Sequence, residues 1–290
     1  MRFVLVLSFT SILAFGQDAF VVPIPPKANS IVGSYVSGTD STKASNDGHP
    51  VLVQTSDQIF PHIATGSVWE TVIVIVNMSA QPIDFVQRFY AQSGQPMTVT
   101  FRNYPQGELT TTAASQGRLP PGASFNFALF DSGQPLQVGW ATLTYDSSQG
   151  RLGGYAIFRQ RVPGRPDFEA LVPLSAYDDY KFFVPFDNIR GFTTAIAIAN
   201  PASNLSNRIT FRFLALDGST ILTDVLDLPP NGQTAFVLSE RFPAIAGRLG
   251  TLYVQNSVNR LSAMGLRFNT GGGNAQLPLI PRRRFAVHCF

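Results

Sequence analysis

Few stretches of this 290-residue chain hold residue types that do chemistry. Phe130-Asp131-Ser132-Gly133 has the apolar-Asp-Ser-Gly pattern of an aspartic-protease half-site. That chemistry needs two such carboxylates sharing one proton. The stretch that answers it later in the chain reads Ser239-Glu240-Arg241, without the glycine, so turn formation accounts for the motif. The histidines, His49, His62 and His288, lie far apart, whereas a metal site wants several ligands at set spacing. His62 has no His or Cys within twelve residues, and Asp57 and Glu70 nearby show no ligand pattern. It is expected to cap a strand end or bond to backbone. Asp40 and Asp47 lack the alternating spacing of a calcium loop. Cys289 stands beside His288, but neighbours on an extended chain point apart and nothing orients them for nucleophilic attack. There is no Gly-x-Ser-x-Gly elbow, Walker loop or Gly-x-Gly-x-x-Gly. The four glutamates, Glu70, Glu108, Glu169 and Glu240, show no pairing that would make a glycosidase. No catalytic residue, metal or cofactor is therefore assigned.

Aromatic side chains are the better lead. Trp69, Trp140, Tyr90, Tyr104, Tyr145 and Tyr155 offer ring faces on which sugars or peptides stack, against the competing role of core filling. The candidate ligand-binding residues are Tyr104, Trp140 and Trp69. Tyr104 leads because Asn103-Tyr104-Pro105-Gln106-Gly107 reads as an inserted loop, and loops on a rigid scaffold carry binding.

Strands must position these side chains. Thr71–Asn77, Thr-Val-Ile-Val-Ile-Val-Asn, returns 123 positions later as Thr194–Asn200, Thr-Ala-Ile-Ala-Ile-Ala-Asn. Side chains alternate faces along a strand, so each Ile pair (Ile73 and Ile75, Ile196 and Ile198) shares one face, expected to turn to a core. Around these strands the correspondence continues. Phe60-Pro61 answers Val184-Pro185, Trp69 answers Phe192, and Leu119-Pro120-Pro121-Gly122 answers Leu228-Pro229-Pro230-Asn231. Trp140-Ala141-Thr142-Leu143 is matched with Leu249-Gly250-Thr251-Leu252, and Gly154-Tyr155-Ala156-Ile157 with Ala263-Met264-Gly265-Leu266. The offset drops from 123 to 109, which assigns about fourteen extra residues to the first copy around Arg102–Gln116. About seven strand-like runs per copy, at short spacing, give the rhythm of an immunoglobulin-like sandwich. The expected fold is all-β: two tandem immunoglobulin-like β-sandwich domains, at 59–178 and 179–281. A signal peptide at 1–16 and an N-terminal arm and linker at 17–58 precede them, and a basic tail at 282–290 follows. Opposite the isoleucines stand Val72, Val74 and Val76 in the first copy and Ala195, Ala197 and Ala199 in the second. A bare valine face is prone to strand association, so the first copy is expected to cover it, with its extra residues or with Val21–Ile24.

The string Phe60-Pro61-His62-Ile63-Ala64, Gly66, Trp69, Thr71, Val74, Val76-Asn77, with Leu119-Pro120-Pro121 and Gly139-Trp140-Ala141 further on, resembles a repeat of secreted soil-bacterial proteins of the Acidobacteria type. The resemblance covers most of Ile59–Pro173 and, more faintly, Phe182–Pro281. There Phe192 replaces the Trp and the His is absent. It implies a secreted tandem β-sandwich and no activity or functional residues.

Composition fits that reading. Hydrophobic residues make up 44% and charged residues 13%, enough apolar material for packed cores. Arg2 and the run Arg282-Arg283-Arg284 account for more than the whole formal charge of +3, so the body is near neutral and nucleic-acid binding is not expected. Met1-Arg2, the apolar run Phe3–Ala14 and small residues at Ala14 and Gly16 read as a cleaved export signal. No later segment is long and apolar enough to span a bilayer. The chain is thus expected to be secreted, periplasmic or at the cell surface. The expected function is that of a non-enzymatic binding or structural module, with a cell-envelope polymer, polysaccharide or protein as partner. The alternative is a carbohydrate-binding accessory protein, and a hydrolase with an unrecognised site ranks behind both.

Overall fold

The computed structural model describes residues 43–44, 50–51, 55–103, 107–130, 133–161, 163–164, 167–175, 181–257, 261–269, 274–277 and 280–281. The export signal, the segment Val21–Ile24 and the arginine tail lie outside them, as do Tyr104, Asp131, His49 and Cys289. A two-stranded antiparallel sheet, β1 (Lys43–Ala44) with β2 (Pro50–Val51), lies within the stretch expected to be the N-terminal arm and linker.

The first half runs β3 (Thr55–Thr65), β4 (Trp69–Asn77), β5 (Ile83–Ala91), β6 (Val99–Asn103), β7 (Leu109–Thr112), β8 (Ala114–Leu119), β9 (Ser124–Leu129), β10 (Gln137–Asp146), β11 (Leu152–Gln160) and β12 (Phe168–Pro173). The second runs β13 (Lys181–Asp187), β14 (Phe192–Ala199), β15 (Asn207–Leu214), β16 (Thr220–Leu228), β17 (Gln233–Val237), a short helix α1 (Leu238–Arg241), β18 (Leu249–Asn256), β19 (Ser262–Asn269), β20 (Asn274–Leu277) and β21 (Ile280–Pro281). Each half is a sandwich of antiparallel sheets. The first has the orders β3-β10-β5-β8 and β12-β11-β4-β9-β6-β7. The second has β16-β15-β18-β13-β21 and β17-β14-β19-β20. Leaving aside β6 and β7, the first half places its first strand beside its sixth and its seventh beside its second. The immunoglobulin order instead sets the first strand beside the second and the seventh beside the sixth.

Alternation explains the cores. Ile73 and Ile75 of β4 are fully buried with Phe85, Phe89 and Phe127 from the strands around them. In the second half Ile196 and Ile198 meet Phe182, Val184, Phe211, Phe213 and Phe236. Each such side chain, fully buried, contributes ~1.5–3 kcal/mol.

The Thr and Asn that bracket the two central strands do the same work twice. Thr71 Oγ1 donates to the Ala64 carbonyl and accepts from the Ala64 amide, and Thr194 Oγ1 does both with Asp187. Asn77 Nδ2 donates to the carbonyls of Gln81 and Leu119, while its Oδ1 accepts from Ser79 N–H. Asn200 repeats this with Leu205, Pro229 and Ala202. Both asparagines are fully buried and tie the end of the central strand to the proline turn. Asn77→Ala orphans buried carbonyls and is expected to cost about 2–3 kcal/mol in urea unfolding, with Asn200→Ala alike. A loss below the scatter of surface substitutions in both variants would contradict this role.

Two sequence expectations change, and a third gains its physical reason. The pairing of Gly139 with Ile63 and of Gly250 with Phe186 sets Trp140 level with Thr251, not with Leu249. A slip of two residues preserves which side chains face inward, so sequence pattern alone does not detect it. Next, β3 carries one extra residue opposite Trp140, since Ile63 faces Gly139 while Phe60 faces Ala141. That bulge is why Phe60 matches Val184 at an offset one larger than the 123 that relates the central strands. Finally, the extra residues of the first half do not cover the valine face. They form β6 and β7, which lengthen the sheet beyond β9.

The halves also pack on each other. Ala197, Met264 and Leu266 join the first core cluster, and Ala199 meets Ile59 and Trp140. Trp140 Nε1 donates to the Asn231 carbonyl at 2.7 Å, and Gln233 N–H donates to the Gln92 carbonyl at 3.0 Å. Alanine at positions 195, 197 and 199 leaves room for β3 to lie close to the outer face of β14.

Candidate binding face

Turning Ile73 and Ile75 inward turns Val72, Val74 and Val76 outward on β4. The register of the neighbouring strands decides what joins them. Ile157 lies opposite Val72 and Tyr155 opposite Val74, while Leu171 of β12 lies opposite Ile157. On the other side Ala128 and Asn126 of β9 face Val72 and Val74. Met78 packs at the far end against Gly153, where a side chain would collide with it. The result is an apolar strip along the outer face of the six-stranded sheet. Tyr155 is 38%, Leu171 46% and Met78 55% exposed and Val74 and Ile157 are half-buried, whereas Val72 and Ala128 at the charged end are buried. Large contiguous apolar surface is uncommon on folded chains, and this makes the strip the candidate site.

One end of the strip is charged. Glu70, with its side chain 5% exposed, pairs with Arg161, and Arg159 reaches Glu169 at 2.7 Å and Glu70 at 4.0 Å. Burial works against the charge of Arg159. The hydrogen bond to Glu169 and the charges of Glu169, Glu70 and Asp167 outweigh it and raise its pKa above the ordinary value. The Arg102 and Arg161 guanidinium groups lie over the Phe130 ring, 5.8 Å and 5.1 Å from its centre. Beside them opens a cleft of about 340 Å³ lined by Ser67, Val68, Trp69, Phe130, Arg161 and Asp167 among others. Ser67 holds a positive φ of 56° at its rim. Chemically the face offers flat apolar contact ending in a half-exposed guanidinium and an aromatic wall. That suits an apolar or planar partner with a carboxylate or other anion at one end.

Of the aromatic candidates, Trp69 is among the residues that line the cleft. It is buried and stacks on Phe158 at 4.4 Å between ring centres. Trp140 is fully buried between the halves, stacked on Tyr90 at 4.7 Å, so its indole meets protein on both sides. Tyr104 lies outside the described residues. His62 does not cap a strand end. It is buried where the halves meet, with its Nδ1 3.3 Å from Gln233 Nε2 and its ring edge-on to Phe158. Sequence reasoning did not select Tyr155, Ile157 and Leu171 as a group, because only register brings them level with the valines. Among the described residues no group of three or more His, Cys, Asp or Glu is placed to hold a metal ion, and no helix is long and apolar enough to cross a membrane.

The geometry defines an all-β sandwich protein with an open apolar sheet face. Comparison with protein-family models, with curated proteins and with solved structures found no match in any of the three.

Proposed function

We propose that this chain is a non-enzymatic binding or structural module, exported to the cell envelope or the extracellular space, and that it binds through the outer face of β4, β11 and β12. The observation that carries the reading is the strip Val74, Tyr155, Ile157 and Leu171, left open on a sandwich whose cores are otherwise closed. Export is supported by Arg2 and the apolar run Phe3–Ala14. The two halves are two copies of one immunoglobulin-like unit, at 59–178 and 179–281, with the first and seventh strands exchanged. The matched sheet orders and the repeated Thr and Asn hydrogen bonds support this. They are also what supports the resemblance to the tandem repeat of secreted soil-bacterial proteins.

The carbohydrate-binding alternative has one specific observation in its favour, the exposed Tyr155 ring on a flat sheet. Both readings meet one test: sedimentation of the chain from Gln17 with isolated cell envelopes and with insoluble polysaccharide. Retention on envelopes that Tyr155→Arg abolishes is the expected result. Retention on polysaccharide, lost in Tyr155→Ala but kept in Tyr155→Phe, assigns the face to sugar. Retention unchanged in every Tyr155 variant overturns the proposed face.

A further inference from the structure

The charged end of the open face belongs to the first half alone. With Thr71 and Thr194 as the common level, register sets Glu70 against Thr193 and Arg159 against Phe268. Ser239 takes the level of Phe130, since Ala128 faces Val72 and Val237 faces Ala195. A hydroxyl pair, Thr193 with Ser239 at 3.1 Å, thus stands where the first half places a carboxylate beside a ring. Taking the Glu70 and Arg161 charges out of water costs free energy that such a pair often only offsets. The second half joins the same strands without it, so the cluster answers to something besides stability. What it presents outward is positive. Glu70, with its side chain 5% exposed, is sealed beneath Arg161, and Asp167 on the cleft wall lies 4.0 Å from Arg159. Among the described residues the half-exposed Arg161 guanidinium gives one hydrogen bond, from Nη2 to Glu70, and Arg161 also lines the cleft. Its remaining N–H groups are open to a ligand. Arg102 has no acidic partner among the described residues. It and Arg161 both lie over Phe130, so the attraction of that ring for a cation is already met by the chain's own side chains. The complement of the cleft is therefore an anion.

We propose that the cleft beside Phe130 binds a small apolar carboxylate, with the carboxylate on the free edge of Arg161 and the body against Phe130 and Val68. This rests on reading the outer face of β4, β11 and β12 as a binding surface, and it names the ligand at the charged end. A planar guanidinium meets a carboxylate through two parallel N–H···O bonds, a match that a point charge lacks. The bond to Glu70 and the contact with the Phe130 ring fix the guanidinium before a ligand arrives. The Arg161 backbone N–H donates to the Val68 carbonyl at 2.8 Å, so the turn that carries Val68 also holds the Arg161 backbone. Val68 is 38% exposed and supplies apolar surface for the body. A volume of about 340 Å³ is at the small end of ligand pockets, which run from about 300 to 1,000 Å³. The cleft therefore takes a body the size of one ring and not a sugar chain.

Ligand-observed NMR titration of the chain from Gln17 tests this with phenylacetate, neutral phenylacetamide and cationic phenylethylamine, which share a ring and differ at the end group. Phenylacetate is expected to bind, phenylacetamide at least ~10-fold more weakly, and phenylethylamine not detectably. Arg161→Lys keeps a charge for Glu70 but not the planar fork, and is expected to weaken phenylacetate ~10-fold while leaving phenylacetamide as it was. Arg102→Gln leaves the Glu70 cluster whole and guards against a folding defect; it is expected to weaken phenylacetate by a factor of about 2–5. Phenylacetate that does not bind, or binds no more tightly than phenylacetamide, overturns the proposal. So do Arg161→Lys and Arg102→Gln both binding it as the native chain does. Envelope retention abolished by Tyr155→Arg, with no phenylacetate bound, would keep the face and sink the cleft. Phenylacetate bound as expected, with retention indifferent to Tyr155, would keep the cleft and sink the strip.

Discussion

Trp140→Ala is expected to destabilise the protein by ~4 kcal/mol, the largest loss for any single side chain discussed above. The indole is fully buried, stacks on Tyr90 and closes the seam against Ala199 and Ile59. Its Nε1 holds the Asn231 carbonyl at 2.7 Å, in a turn where Asn231 keeps a positive φ of 53°. Truncation leaves a cavity, removes that bond and leaves the carbonyl without its donor. Trp140→Phe retains much of the volume and is expected to lose ~1–2 kcal/mol, the share of the hydrogen bond and the missing ring. Guanidinium unfolding followed by intrinsic fluorescence measures both. Native-like midpoints for Trp140→Ala would show that the seam contributes nothing to stability.

The second large effect is a loss of stability in acid that depends on His62. Burial alone lowers its pKa from 6.5 to about 4. In the unfolded chain the imidazole titrates near its ordinary value, so between those two pH values the unfolded state binds more protons than the folded one. Stability contributed by the neutral ring is fully present above about pH 6.5. It falls as pH drops toward 4 and changes no further below that. The expected span is ~3 kcal/mol. Geometry supplies the reason. Gln233 Nε2 donates to the Pro61 carbonyl and to His62 Nδ1. A protonated ring presents a second donor to that amide. Either the donors face each other, or the amide turns over and sets its oxygen against the Pro61 carbonyl. Urea unfolding of native protein and His62→Gln at pH 7, 5 and 4 isolates the effect from the carboxylates, which both proteins share. Equal pH slopes in the two would remove His62 from the account.

Much of this architecture is legible in the sequence. The Thr-x-Ile-x-Ile-x-Asn strings announce central strands with one apolar face, because side-chain alternation is a local property of the extended chain. The second string, 123 positions on, announces a second core in the same way. Pro120-Pro121 and Pro229-Pro230 mark turns through fixed φ, again a property of the residues themselves. What sequence left open is anything set by partners distant along the chain. Ala195, Ala197 and Ala199 carry no sign of which strand lies over them, nor does Trp140 reveal that its indole bonds to Asn231, 91 residues away. His62 showed no ligand pattern, and only packing makes it a buried neutral base. Tyr155 becomes part of a face because antiparallel register sets it beside Val74 and sets Leu171 beside Ile157, two residues along. Local alternation thus determined which residues turn inward. Register and the docking of one half on the other decided which outward residues were covered and which were left exposed, since both depend on contacts between strands that the chain brings together only on folding.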